Sequence, residues 1–278
     1  MNRNKIEKIL RNIDNCPICK SIKLTTIGDT RTINPHSDLK VQIIKCHYCL
    51  HWFINPMIKQ EDLNTLYSEA SDYVVTKNWL RNEFSIPEEY IIKNESKKNS
   101  KKKKYLEIGI GYGLLFKYFQ KKGYYCFGVE PYQWAIDIPN IVDNITKLNE
   151  DNFEVIVLVD VLEHLEDPLL FIEHISQLSI KGGTVYASFP NNQSLQALLF
   201  KKKWRMIRPF GHLHYFSEKS LKIMFESNRF KIKHLKKTDL FEFKIRNYLK
   251  PPYFMSRAIA QWSQSLWGDQ WIVRAIKN

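Results

Sequence analysis

The 278 residues, 44% of them hydrophobic, can build one full-sized domain and a smaller module, which excludes a chain disordered throughout. No apolar run approaches the roughly 20 residues of a membrane span, and the amino-terminal MNRNKIEKIL has no apolar signal core, so a cytoplasmic protein is expected. Lys and Arg outnumber Asp and Glu by 42 to 29, which invites an anionic partner; because Lys is spread through a chain rich in Asn and Ile, a solvated basic surface is favoured over a nucleic-acid face.

Residues 1–60 carry four of the five cysteines, as Cys16-Pro17-Ile18-Cys19 and Cys46-His47-Tyr48-Cys49. A C-x-x-C turn aims two thiolates at one centre, and two such turns complete a closed, tetrahedral and therefore structural zinc site. Two disulfides are the alternative, disfavoured in a chain with no signal peptide. His47 and His51 are spare ligands, better read as surface or packing residues. Between the pairs, GDT and NPHSD signal turns and KVQIIKC a strand, so a small zinc ribbon is expected, with Trp52, Phe53 and Pro56 closing it onto its neighbour. Zinc ribbons bind nucleic acid or protein often enough that the module names no function.

Residues 61–103 form a linker with apolar positions at helical spacing, interrupted by Pro87, which predicts two or three short helices. Lys97 to Lys104 reads as a solvated lead-in to a strand. From 104 to 278 the chain alternates strand and helix: YLEIGI, LLFKYFQKKG, YYCFGVEP, FEVIVLVD, DPLLFIEHISQLSIKGG, TVYASFP. That rhythm implies an α/β fold with a mostly parallel sheet and helices on both faces. Gly109, Gly111 and Gly113 lie between a strand and a helix, where backbone amides can receive a negative group. The dinucleotide fingerprint needs a third glycine where Leu114 stands, while Glu130, ending the next strand, can accept both hydroxyls of a ribose. One ribose and one short anion fit S-adenosylmethionine better than NAD. Cys126 reads as a buried strand residue.

The words LEIGIGYG, FGVEPYQWA, FEVIVLVDVLEHLEDP, GGTVYASFPN and HLHYFSEKSLKIMFESNRFKI, in that order, resemble the class I S-adenosylmethionine-dependent methyltransferases, in the branch called type 11 or 12. Some members are also similar in the paired C-x-x-C motifs and the W-F-x-N-P that follows. The resemblance implies a Rossmann-like sheet with an antiparallel last strand. It implies that Glu107, Gly109, Gly111 and Gly113 line the methionine moiety, Glu130 the ribose, and Pro131 and Tyr132 the adenine. Asp143, Asn144 and Ile145 are candidates for a further adenine contact, and Asp160 for the methyl-donor side.

In DVLEHLEDP, Asp160, Glu163 and His164 would share one face of a helix. The triplet resembles a divalent-metal site of ubiquinone-pathway O-methyltransferases; His164 as a general base, or Asp160 as a helix cap with the rest structural, are the other readings. Past the fifth strand, Asn191 and KKKWRMIRPFGHLHYFS bring Trp204, Arg205, Arg208, His212, His214 and Tyr215 to a loop expected to roof the acceptor pocket. His212 and His214 are expected on opposite sides of an extended segment, so that at most one serves as catalytic base. The basic and aromatic residues together suit a phosphorylated, nucleotide-linked or acidic glycan acceptor, or a loop packed on its own domain. FKIKHLKK (230–237) and QWIVRAI (270–276) resemble the closing hairpin of the fold, separated by a helical insertion around 241–268 that reads as core, lid or a peripheral membrane contact.

The expectation is a zinc-ribbon-bearing methyltransferase acting on a small molecule or saccharide, nucleotide- or lipid-linked forms included, in a surface-glycan or secondary-metabolite pathway. An O-methyltransferase of quinone or phenolic precursors is the enzyme alternative. A nucleic-acid-binding zinc protein with a vestigial methyltransferase domain is the alternative of another class, and retention of the loop glycines with Glu130 speaks against it. The oligomeric state is left open.

Overall fold

The computed structural model describes residues 10–30, 41–60, 62–63, 84–96, 102–131, 138–208, 211–238 and 268–278. The ribbon comes first: β1 (Leu10–Arg11), β2 (Leu24–Asp29), β3 (Gln42–Cys46), β4 (Trp52–Asn55) and β5 (Met57–Ile58). β2, β3 and β4 run antiparallel, with Ile44 opposite Phe53. The two C-x-x-C turns are built alike. Lys20 N–H donates to Cys16 O and Leu50 N–H to Cys46 O, and both closing residues take a left-handed φ, 60° at Lys20 and 62° at Leu50. The alternation in β3 and β4 buries both faces. Ile43, Trp52 and Ile54 pack with Trp204, Met206 and Tyr215, while Ile44 and Phe53 pack with Met57, Leu63 and Leu213.

The helix α1 (Ile86–Glu95) follows. Pro87 does not interrupt it; it sits in the first turn, where its missing N–H costs nothing, and Ser85 and Glu88 close a capping box around it. The other helices expected over 61–85 fall mostly outside the described residues. The main sheet is then laid down by β6 (Lys104–Ile108), α2 (Leu114–Lys121), β7 (Tyr125–Val129), β8 (Ile141–Val142), β9 (Phe153–Val159), α3 (Pro168–Leu178) and β10 (Ser179–Pro190). After it come α4 (Leu195–Phe200), β11 (His214–Tyr215), α5 (Glu218–Ser227), β12 (Phe230–Thr238) and β13 (Gln270–Lys277).

The seven strands are ordered β12-β13-β10-β9-β6-β7-β8. β10, β9, β6, β7 and β8 are parallel, and β13 enters antiparallel between β10 and β12. This is the Rossmann-like α/β sheet with an antiparallel last strand. Parallel runs such as FEVIVLV are buried on both faces, hence their continuous apolar character. In register, Ile108 lies beside Val129 and Leu158, and Val159 beside Ser188, so the residues following β6, β7, β9 and β10 emerge along one edge. The insertion between β12 and β13 lies outside the described residues up to 267. No helix among the described residues is long and apolar enough to cross a membrane.

The smaller sheet is ordered β11-β4-β3-β2. Its outermost strand, β11, comes from the loop beyond β10 and pairs antiparallel with β4, His214 opposite Phe53 and Tyr215 opposite Trp52.

Candidate active site

The turn after β6 is held by three left-handed glycines, Gly109 (φ 72°), Gly111 (53°) and Gly113 (72°). At Gly109 a Cβ would also lie 2.7 Å from Val161 Cγ2, so both backbone and space demand glycine. In β7, Gly128 is required by close approach alone, a Cβ there meeting the Ile110 side chain at 2.1 Å. Glu130, buried after β7, accepts from the Gly111 N–H at 2.9 Å, which places a carboxylate directly against the glycine turn. Glu107 is buried in β6 and accepts from the Tyr105 hydroxyl at 2.6 Å. Burial pushes its carboxyl up to about 8, with Glu88 and Glu130 adding to the rise and the tyrosine bond opposing it. Pro131 is exposed beside Glu130, and Tyr132 lies outside the described residues. Asp143 is exposed and ion-paired with Lys147 at 2.8 Å, Asn144 caps a short 3-10 turn by accepting from Thr146 N–H, and Ile145 packs against the core.

The DVLEHLEDP segment is not one helix. A single 3-10 turn spans Leu162–His164, and α3 begins at Pro168 with Asp167 as its cap, accepting from Leu170 N–H at 3.0 Å. Proline at the first helical position and Asp before it fix the start there, so the cap of α3 is Asp167 and not Asp160. Asp160 instead takes a left-handed φ of 55°, and its Oδ1 accepts from Ser188 Oγ at 2.9 Å and Gln270 Nε2 at 2.8 Å. That bond set ties the ends of β9, β10 and β13 together.

Glu163 and His164 find a different third partner, His212. Ligand atoms of these three residues all lie within 4.8 Å of one another, and Asp160 is not among them. The His164 and His212 rings meet edge to face at 5.0 Å. Neither carboxylate oxygen of Glu163 has a hydrogen-bond partner although the residue is 1% exposed, and burial with the nearby Asp160 drives its pKa well above the ordinary value. Burial likewise holds His164 at about 4 and His212 well below 6.5. With its Nδ1 bonded to Met206 O at 2.9 Å, a neutral His212 keeps Nε2 as the lone-pair nitrogen facing outward from that bond.

The two loop histidines do part company, but strand alternation is not the reason, since residues two apart share a face. His212 N–H donates to Arg208 O at 2.7 Å, closing a turn, and the strand begins only at His214. His214 is buried between His51 Nε2 at 3.1 Å and Glu166 O at 3.4 Å. Tyr215 is buried and donates to His212 O at 3.0 Å. Trp204 and Arg205 are bound to Asp269, by Nε1 at 2.9 Å and Nε at 2.5 Å, and Asn191 donates to Gly268 O at 2.7 Å. Asp269, Gln270 and Ser188 were not marked by the sequence; a lone acidic residue before a strand carries no local signal.

The four cysteines of the ribbon come together. Cys16 Sγ lies 3.5 Å from Cys49 Sγ and Cys19 Sγ 3.5 Å from Cys46 Sγ, with all four within 4.8 Å of one another. A tetrahedral zinc with bonds of about 2.3 Å sets its sulfurs about 3.8 Å apart, so the donor set fits. None forms a disulfide. His47 meets Thr25 Oγ1 on the surface and His51 is fully buried, and neither belongs to the cluster. Cys126 is buried in β7, its thiol pushed up to about 12 by burial.

A family model described as a methyltransferase domain matches residues 83–235, more than half of the chain. Among solved structures, 1,6-didemethyltoxoflavin-N1-methyltransferase from Burkholderia thailandensis, with bound 1,6-didemethyltoxoflavin and S-adenosylhomocysteine, aligns with a TM-score of 0.55 at 13% identity, over 90% of this chain and 99% of its own. An S-adenosylmethionine-dependent methyltransferase from Archaeoglobus fulgidus aligns at 0.51 and 16% identity, over 76% and 99%. One from Mesorhizobium loti aligns at 0.50 and 13%, over 68% and 98%. At these identities the likeness is one of fold. No curated protein matches the chain.

Proposed function

The chain belongs to the methyltransferase domain family, within the class I S-adenosylmethionine-dependent enzymes, and we propose that it methylates a small molecule or saccharide while a structural zinc holds its Cys16, Cys19, Cys46 and Cys49 ribbon. The observation that carries the cofactor assignment is Glu130 Oε2 at 2.9 Å from the Gly111 amide, a carboxylate set against a turn of three left-handed glycines where a ribose would be received. The cofactor site would comprise Glu107, Gly109, Gly111, Gly113 and Glu130, with Asp160 at the neighbouring strand end.

Methyl transfer breaks the bond from sulfur to methyl as the acceptor heteroatom forms its own, S-adenosylhomocysteine leaves, and the acceptor's proton must be taken up. His212 Nε2 and His164, neutral and adjacent, are the proton acceptors of this reading, whereas His214 is committed to His51 and Glu166. Trp204 and Arg205, which would have suited a phosphorylated acceptor, are spent on Asp269. What remains beside the 3-10 turn is a carboxyl, two imidazoles and the Arg208 charge that acts on all three, a set that favours an acceptor offering O–H or N–H groups and can also meet a negative one.

Calorimetric titration of zinc-loaded protein with S-adenosylmethionine, with NAD as control, tests this. The wild type should bind S-adenosylmethionine alone, and Glu130→Ala should weaken it at least about tenfold, the value of a hydrogen bond to a charged group. Failure of the wild type to bind overturns the assignment. One observation favours a second reading, an O-methyltransferase with a divalent cation beside its acceptor: the unpartnered oxygens of Glu163 lie with His164 and His212 in ligand-like proximity. Such a cation would lower the pKa of an acceptor hydroxyl. Two metal ions per chain after dialysis, instead of one, would support it.

A further inference from the structure

The bonds that leave the ribbon converge on the acceptor half of the site. Between Cys46 and His51, three successive residues are gripped by the main domain: Ser217 Oγ donates to Cys49 O, Asn192 Nδ2 donates to Leu50 O at 2.8 Å, and His51 Nε2 meets His214 Nδ1 at 3.1 Å. Ser217, Asn192, His51 and His214 are each at most 1% exposed. The following strand continues the grip. Ile54 N–H donates to Leu213 O at 3.0 Å, and Leu213 N–H donates to Glu163 O at 2.7 Å, so a single residue joins the ribbon to the turn carrying Glu163 and His164. On the far side of that turn, Glu166 exchanges bonds with Gln60, at 2.8 and 2.9 Å, and pairs with Arg11 at 2.8 Å. The cofactor carboxylates are held otherwise, Glu107 by Tyr105 and Glu130 by Gly111.

We propose that the Cys46–His51 zinc turn is a positioning brace for the acceptor loop: metal in the four-cysteine site fixes His212 against Glu163 and His164 through His51, His214 and Leu213, and does so without governing the cofactor half. Freed of metal, the turn keeps two internal hydrogen bonds, Leu50 N–H to Cys46 O and Cys46 N–H to His51 O; metal would add bonds from Cys46 and Cys49 and tie them to Cys16 and Cys19. His51 and His214 are positioning residues in this scheme, since neither reaches the Glu163 cluster itself. The ribbon thus supports the acceptor loop from behind. The proposal rests on the methyltransferase reading only for what the loop serves.

Amide hydrogen exchange tests it, with S-adenosylhomocysteine affinity measured in parallel. His51→Phe keeps the stacking against Phe53 and Phe216 but loses the bond to His214, while His51→Gln keeps a donor at that place. In zinc-loaded protein retaining one metal per chain, His51→Phe should raise exchange at Leu213 and Phe216 at least tenfold, His51→Gln should restore protection to within threefold, and S-adenosylhomocysteine affinity should stay within twofold of wild type in both. Stripping the zinc should release residues 162–166 and 211–217 together with the ribbon, while Leu106 and Val129 in β6 and β7 stay protected. Unchanged loop exchange in His51→Phe overturns the brace. Loss of protection in β6 and β7 on stripping overturns its selectivity. If S-adenosylhomocysteine binds none of these proteins, the methyltransferase reading fails, and the loop exchange still judges the brace.

Discussion

Replacing Glu107 by Gln should make the ligand-free protein more stable at neutral pH and not at acid pH. The unfolded chain releases this proton near its ordinary pKa of 4.5, but the folded chain keeps it to about 8 because the carboxyl is buried. The stability associated with the protonated carboxyl is therefore whole below pH 4.5 and erodes as pH rises towards 8. At pH 7 that is 2.5 pH units at about 1.4 kcal/mol each, or about 3 kcal/mol. Gln stays neutral at every pH and still offers an oxygen to the Tyr105 hydroxyl, now 2.6 Å from the carboxylate. Urea unfolding followed by the fluorescence of the buried Trp52, Trp204 and Trp271 would read the difference. All other titrating groups are common to both proteins, so the gap should be near zero at pH 4 and about 3 kcal/mol at pH 7. A gap that does not grow with pH, or a destabilised variant at pH 7, would show that Glu107 is ionised in the folded chain. The same variant should bind S-adenosylmethionine more weakly, as expected where a protein keeps a costly buried acid for its ligand.

Three further outcomes follow from the geometry. Gly109→Ala must adopt a φ of 72° and push Val161 Cγ2 away from 2.7 Å, so it should lose about 1–3 kcal/mol; adding Val161→Ala should recover only the steric part, and wild-type stability in urea would refute the strain. Asp269→Ala strips acceptors from Ser194 Oγ and Trp204 Nε1, both buried, and should cost about 2–4 kcal/mol, with a urea midpoint shift equivalent to less than about 1 kcal/mol counting against it as an anchor. Cys19→Ser should lower metal content below the one zinc per chain expected of wild type, measured by atomic emission after dialysis, and should lower the melting temperature as well. Full zinc retention would remove Cys19 from the ligand set.

The sheet was legible because its signals are local. LEIGIGYG announces a strand, a left-handed turn and a helix within eight residues, and FEVIVLV declares a doubly buried strand by itself. The cysteine pairs were legible for the same reason, each turn being complete within five residues. Where structure and expectation differ, a stronger local rule decides: Asp167 with Pro168 outranks Asp160 as a helix start, and Pro87 opens a helix instead of interrupting one.

The rest was illegible because it depends on pairings with no local trace. A two-residue strand such as β11 has no period to detect, and His51 and His214 meet across 163 residues of sequence. Asp269 gathers Ser194, Trp204 and Arg205 from 64 to 75 residues away. These long-range contacts are the ones that decide what the loop HLHYFS does. Read alone, its two histidines are equivalent candidates for a base. In the folded chain a turn at Arg208 sends His212 to His164 and Glu163, while pairing with Trp52 and Phe53 commits His214 to the ribbon. One short segment thus serves two sheets, and the residue between the histidines, Leu213, carries the backbone bonds to both Ile54 and Glu163. The division of labour between the histidines is therefore a property of the docked ribbon, which neither half of the sequence contains by itself.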